Sequence, residues 1–262
     1  RALWTASTGM MAQQLNVDTI SNNIANVNSI GYKKTRVEFK DLLYETMERG
    51  MVKDGKGKPV NLQVGHGVKV SATTKFFTAG NMDNTANPYD VAIDGPGFFK
   101  VANPKGEEMY TKDGSFKIST EVDDMKLVTA EGYYVQGANG EINLGSNVKE
   151  VLIDETGMIT VKRTDDAYEE IGKISISTFV NPAGLESIGK NLYKSSLASG
   201  EAFDATEDGS GGETLQGFLE SSNVQVVEEM VKLIQAQRAY EINSKSIQTA
   251  DEMLGMANNL RR

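Results

Sequence analysis

The sequence predicts an α+β chain in which helices at the two ends pair with each other and an all-β body lies between them. Three observations carry this. Apolar residues recur every seven positions near the N-terminus, at Leu3, Met10, Val17 and Ile24, and again near the C-terminus, at Leu219, Val226, Leu233, Tyr240, Ile247 and Leu254. A sustained seven-residue apolar repeat marks a helix that packs on another helix. Between the two seams run short β-branched and aromatic segments separated by turn residues, and most of the 26 glycines fall there.

The first helix is expected over residues 2–27. Ala6, Gln13, Ile20 and Val27 form its second set of heptad positions, with Gln13 a polar interruption. Asp18 is its only ionisable group, and amides take the place of surface charge at Gln13, Gln14, Asn16, Asn22, Asn23 and Asn26. A helix that is amphipathic but almost uncharged suits packing among several neighbours, where a lone charge is costly and an amide finds partners. Packing among several neighbours is the preferred reading, and a plain, somewhat insoluble coiled-coil arm the alternative.

Asn28, Ser29 and Gly31 are turn and C-cap types that end this helix. Residues 32–49 alternate charge with Tyr32, Val37, Phe39, Leu42, Leu43 and Tyr44, and fit an extended segment or a short helix. Residues 50–59 are a Gly/Lys loop, long enough to be a strut or hairpin tip.

From Leu62 to about Phe218 the signals are strands: 68–74, 89–93, 98–101, 108–111, 115–118, 150–153, 158–161 and 173–179. Asn103-Pro-Lys-Gly, Lys112-Asp-Gly and Ala138-Asn-Gly read as turns between them. Residues 199–212 form an acidic return loop. The second helix is expected from about Asn223, as its cap, to Asn258, with Glu228 and Glu229 near its positive end and Ala236, Ala250 and Ala257 at small heptad positions.

Composition limits function. The 262 residues carry a net charge of −9, against a nucleic-acid or anionic-membrane partner. Residues 1–40 hold +3 and residues 219–262 hold −1, leaving −11 on the middle. With no cysteine there is no disulfide or thiolate site. No apolar run is long enough for a membrane span. No secretory signal is legible, and the first residue is Arg1, so further residues are expected before it; an exported chain would use another route.

Chemical sites are weak. His66, the only histidine, sits in Gly65-His66-Gly67 with no partner ligand in sequence and reads as a turn residue. Asp94-Gly-Pro-Gly97 lacks the Lys and Ser/Thr of a phosphate loop and reads as a tight turn that feeds Phe98 and Phe99 into the core. Residues 204–215 imitate a calcium loop, but Thr206 stands third and Leu215 twelfth, where a bidentate Glu is required. No serine-nucleophile pattern is present. The reading is no enzyme, no cofactor and no metal. A carbohydrate-active enzyme with a β body and helical trimerisation ends would need a carboxylate pair that no spacing singles out.

Ser21-Asn-Asn-Ile-Ala-Asn-Val-Asn-Ser-Ile-Gly-Tyr-Lys33, with Asn22, Asn23, Ala25, Asn26 and Gly31 as its core, resembles the N-terminal signature of bacterial flagellar rod and hook proteins. Tyr32 stands where Phe is common. The run Ser222–Leu254 resembles their C-terminal signature, and Asp90–Phe99, Tyr110–Phe116 and Gly184–Tyr193 also match. The likeness covers nearly the whole chain and is strongest to the distal-rod branch.

The resemblance implies an architecture: residues 1–30 and 219–262 as an inner helical assembly domain, 31–68 as a connecting segment and 69–218 as a β-rich outer domain. It implies a self-assembling subunit of a tubular drive shaft that carries torque to the hook and encloses the export channel. Its partners would be itself, proximal-rod proteins, hook or hook-junction proteins and an outer-ring bushing where one exists. It also implies type III export, location in the basal body and, around residues 47–62, a part that stiffens the shaft. A proximal-rod or hook-family paralogue is the alternative. On this reading Leu3, Met10, Val17, Ile24, Val226, Leu233, Tyr240, Ile247 and Leu254 form the assembly interface, and Gln13 and Asn16 face the channel. Both terminal helices are expected to be disordered in the isolated monomer and to fold on assembly.

Overall fold

The computed structural model describes residues 2–48, 52–53, 56–57, 62–121, 124–146, 148–164, 167–205 and 211–259. Contacts divide the chain into two units. One comprises Arg1–Ala25, Thr35–Lys75 and Gln225–Arg262, the other Asn26–Lys34 and Phe76–Val224.

The first unit contains helix α1 (Ala2–Ala25) and helix α2 (Val226–Asn259), packed on each other. Residues 32–49, open between helix and extended chain in the sequence, are extended. Thr35–Asp41 pairs antiparallel with Val68–Lys75, with a bulge at Glu38/Phe39, and Tyr44–Glu48 pairs with Leu62–Gly65. Val37 is buried in this ribbon, and α1 packs on both its strands. In the Gly/Lys loop Val52–Lys53 pairs with Lys56–Gly57; the rest of that loop lies outside the described residues.

The second unit is strand-rich and antiparallel. Its largest sheet runs Lys117–Glu121, Asp124–Val128, Tyr134–Gly137, Phe98–Ala102, Glu108–Thr111, Leu192–Lys194, Glu186–Gly189. A three-stranded sheet, Val148–Ile153, Met158–Arg163 and Tyr168–Lys173, adds to it. Val91–Asp94 pairs with Glu213–Gln216, and Met82–Asn84 with Phe218–Glu220. Two of the three expected turns are hairpin turns: Gly106 N–H donates to Asn103 O at 2.7 Å, and Gly137 pairs with Gly140; Lys112-Asp-Gly joins strands that do not pair with each other.

Strand periodicity explains the two cores. The turn Asp94–Gly97 delivers Phe98 and Phe99 to opposite faces. Phe99 enters an aliphatic core with Val91, Ile93, Val101, Phe116 and Leu127. Phe98 enters an aromatic cluster with Tyr110, Phe179, Leu185 and Tyr193. Its rings meet edge to face, Tyr110 and Phe179 at 4.8 Å between centroids.

Three local expectations change. Leu219 fits the C-terminal heptad by spacing, yet it lies buried in the strand Phe218–Glu220, because α2 begins only at Val226. The expected strand 173–179 is two strands, with Ile176–Thr178 turning to pair with Phe98–Ala102 and Phe203–Asp204. Phe203–Asp204 therefore takes the start of the acidic return loop into the sheet. Thr206, like the other residues 206–210, lies outside the described residues, so the calcium-like loop is judged only at its ends: Asp204 accepts from Ser175 Oγ at 3.1 Å, and Leu215 is in a strand.

Candidate assembly interface

On the two helices the residues most deeply buried are, Ile20 apart, small or polar. On α1 they are Ala6, Ala12, Ile20 and Asn23; on α2 they are Glu229, Ala236 and Ala250, which share one seven-residue repeat with Asn243. The helices come close enough that a Cβ on Gly9 would lie 2.9 Å from Asn243 Nδ2. A short side chain at each crossing permits that approach, so the small heptad positions line the contact and the larger apolar ones flank it. Met10, Val17, Ile24, Leu233 and Ile247 are half-buried, whereas Leu3, Val226, Tyr240 and Leu254 are exposed.

Away from this contact both helices present large apolar side chains to solvent. Trp4 is 66% exposed and Met11 71%; they stand about two turns apart, and Leu15 follows Met11 by about one more turn, all on one face of α1. On α2, Val227 (75%), Val231, Ile234 and Ile242 are likewise exposed. Isolated exposed apolar residues are ordinary, but stripes of this kind mark an interaction surface.

Asn23 is the family-signature residue with the clearest task. Its Oδ1 accepts from Thr35 N–H at 3.0 Å, and its Nδ2 donates to Thr35 O at 2.8 Å and Glu229 Oε2 at 3.1 Å. One amide thus joins the end of α1, the start of the ribbon and the first turn of α2. Lys232 Nζ donates to the other Glu229 oxygen at 2.7 Å. Asn22 and Ala25 are exposed and Asn26 half-buried. Gln13 and Asn16 are half-buried and face each other, Asn16 Nδ2 3.5 Å from Gln13 Oε1. Gln14, Val17, Gln237, Tyr240 and Glu241 line an open groove between the helices.

Gly31 lies in the β unit, six residues past the end of α1, so it is not the cap of that helix. Its φ is +66°, and an added Cβ would sit 2.8 Å from the backbone of Lys112 and Asp113. Its N–H donates to Glu220 O at 2.8 Å.

No charge spacing in the sequence singled out the residues around it. Lys33 Nζ donates to Glu220 Oε1 at 2.5 Å and to Thr78 O at 2.8 Å, with both charged side chains almost fully buried. Gly80 N–H donates to the same oxygen at 2.8 Å. Glu220 Oε2 faces Lys112 Nζ at 3.7 Å, and Lys112 donates to Gly95 O at 2.9 Å. Burial lowers Lys112 to about 8, against the pull of Glu220. Burial, with Tyr32 and Glu220 nearby, raises Tyr193. Asn223, expected to cap α2, instead accepts from Lys34 N–H at 2.8 Å and donates to Phe76 O at 2.8 Å. A signal did exist: Lys33 and Lys112 both belong to the runs that carry the family resemblance.

His66 is a turn residue, its Nδ1 3.1 Å from Leu43 O and its Nε2 3.9 Å from Glu45. Among the described residues no cluster of His, Asp or Glu has metal-ligand geometry, and no helix is long and apolar enough to cross a membrane.

The class defined by this arrangement is an α+β protein whose two ends build one unit with apolar stripes open to solvent, and whose middle builds a separate β body. The chain belongs to the flagellar basal-body rod protein family. Residues 3–33 match the description "Flagella basal body rod protein", residues 92–161 "Flagellar hook protein FlgE/F/G D1 domain" and residues 215–260 "Flagellar basal body rod FlgEFG protein C-terminal". It is similar to the flagellar basal-body rod protein FlgG of Borreliella burgdorferi, 49% identical over all of this chain and 99% of that one. The proteins of the same name from Buchnera aphidicola (44% identical, 97% of this chain and 96% of the relative) and Caulobacter vibrioides (43%, 100% and 99%) are similar over comparable lengths.

Proposed function

We propose that this protein is a structural subunit of the flagellar distal rod, assembling into a helical tube that carries motor torque to the hook and encloses the export channel. It is not an enzyme. The observation that carries this is the pair of apolar stripes on α1 and α2, exposed in the single chain and placed on the segments that match the rod family at both ends. A surface of that kind is satisfied by further copies. Different stripes on different helices make a heterologous contact, and a heterologous contact whose rotation does not close builds a filament. Each contact is weak, and torque is resisted by their sum.

In this reading α1 and α2 pair in coiled-coil fashion as the core of the inner domain expected over 1–30 and 219–262, with 31–68 as connection and 69–218 as outer domain. Contacts, however, group 26–34 and 219–224 with the β unit and 69–75 with the helices. Leu3, Met10, Val17, Ile24, Val226, Leu233, Tyr240, Ile247 and Leu254 contact neighbouring copies. Gln13 and Asn16 turn to the channel, where a polar uncharged wall suits passing unfolded clients. Axial neighbours are proximal-rod and hook or hook-junction proteins, and an outer-ring bushing surrounds the shaft where one exists.

A proximal-rod or hook-family paralogue would share the class and differ in axial position. Labelling the protein in purified basal bodies decides: signal between the proximal rod and the hook is expected. Signal elsewhere on the axis favours the paralogue, and absence from basal bodies overturns both.

A further inference from the structure

The backbone passes between the two units four times, at 25/26, 34/35, 75/76 and 224/225. The β-unit residues at three of these crossings form a closed ring of hydrogen bonds. Phe76 N–H donates to Lys34 O at 3.0 Å, Lys34 N–H donates to Asn223 Oδ1 at 2.8 Å, and Asn223 Nδ2 donates to Phe76 O at 2.8 Å. Asn223 N–H also reaches Tyr32 O at 3.4 Å, and Asn191 Nδ2 donates to Ile30 O at 2.8 Å. The segment that follows α1 and the segment that precedes α2 are thus held by the β body and by each other.

The ionic cluster supplies what this ring lacks, a register. In the return strand Phe218–Glu220 both Leu219 and Glu220 are buried, so alternation of apolar and polar side chains does not fix which residue faces inward. Lys33, Lys112 and Gly80 N–H do fix it, because they converge on Glu220 alone. A slip of one residue would leave two ammonium groups buried without their carboxylate. Buried ion pairs add little net stability over apolar packing, and their best-attested use is to select one arrangement.

We propose that Lys33, Glu220, Lys112 and Asn223 form a buckle that folds with the β body in the single chain. It sets the register between the outgoing segment 26–34 and the returning segment 218–224 before the terminal helices find partners. The anchor points of α1 and α2 are then fixed at the monomer stage, whatever filament the chain enters.

Hydrogen exchange on the full-length dilute monomer tests this. The amides of Gly31, Lys34 and Gly80 are expected to be protected along with Ile174, a core amide bonded to Gly157 O. If they exchange as freely as those of a segment with no fixed structure, the buckle does not form in the monomer and the proposal fails. In Lys33→Met, Gly31 and Gly80 should lose at least tenfold in protection while Ile174 keeps its own. Lys33→Met/Glu220→Gln, which removes the unpaired carboxylate and retains an acceptor for Gly80, should recover most of it. A parallel loss at Ile174 would reduce the cluster to a contributor to global stability. Unchanged amides in the single variant, or independent effects of the two substitutions, would also overturn it. The wild-type measurement decides even if a variant fails to fold.

Discussion

Asn23 and Glu229 meet across 206 positions of sequence: the buried Asn23 amide donates to the Glu229 carboxylate at 3.1 Å, while its other contacts hold the backbone of Thr35. Replacing it by Ala leaves two Thr35 backbone groups and one buried carboxylate oxygen without that partner, at about 1–3 kcal/mol for each group left unsatisfied. Asn23→Ala should raise the critical concentration for polymerisation of the purified subunit by tenfold or more. Asn23→Asp should do worse still, since it sets a second carboxylate against Glu229 and removes the amide donor to Thr35 O.

The terminal helices bury mainly small residues against each other, and residues 251–259 of α2 are exposed throughout. That is little apolar burial to offset the ordering of α1 and α2, with backbone entropy of about 1–2 kcal/mol per residue. In a dilute monomer their amides should exchange at near-unstructured rates, with protection gained on polymerisation. Helical, protected termini in the monomer would contradict folding on assembly.

Gly31→Ala combines a left-handed φ of +66° with a Cβ placed 2.8 Å from the backbone at Lys112 and Asp113. Neither neighbour can yield as a flexible side-chain tip would. The variant should lose at least ~2 kcal/mol, read as a lower urea midpoint for the β unit. A midpoint equal to wild type would show that the backbone there relaxes freely.

The course of the two helices and the body of hairpins were legible because they rest on local signals: heptad spacing, Asn-Pro-Lys-Gly and Asn-Gly turns, and alternation through Phe98 and Phe99. What escaped was non-local. Leu219 satisfied the heptad by coincidence, since seven-residue spacing continues arithmetically through a strand. The helix contact proved to run along Glu229, Ala236, Asn243 and Ala250 because close approach favours small side chains over the larger ones that define a hydrophobic seam. Nothing local in the sequence sets Lys33 and Glu220 apart from other charges; their burial rests on pairing across 187 positions. Asn223 looked like a cap because cap residues are recognised by position, whereas its amide is used by Lys34 and Phe76.

Lys112 gives the β unit a specific pH response. Burial lowers it from 10.5 to about 8, with Glu220 opposing the change. Because the folded value lies below the unfolded one, the unfolded chain holds the extra proton between these limits, and stability rises with pH across that window. The rise is on the order of 3 kcal/mol at most. Lys112→Met should flatten this dependence and cost little at pH 7, since it removes a buried charge and leaves the Lys33–Glu220 pair. Urea midpoints at several pH values from 7.5 to 10.5 check both; a wild-type midpoint that falls steadily over that range would sink the assignment.

Gln13 and Asn16 test the channel reading. In the single chain their side chains face each other on α1, and neither is fully exposed. A lysine at either position replaces a neutral amide by a long cation. If that face lines the channel, the cation repeats at every subunit and meets each exported chain along the whole shaft. Gln13→Lys or Asn16→Lys should then slow growth of the structures beyond the rod while leaving rod assembly intact, measured as hook length against time after rod completion. Hooks that grow at the wild-type rate on normal rods would place these two residues away from the channel. Loss of the rod itself would assign them to contacts between subunits, because a charge buried among neighbours without a partner is costly in a way that a channel-facing charge is not.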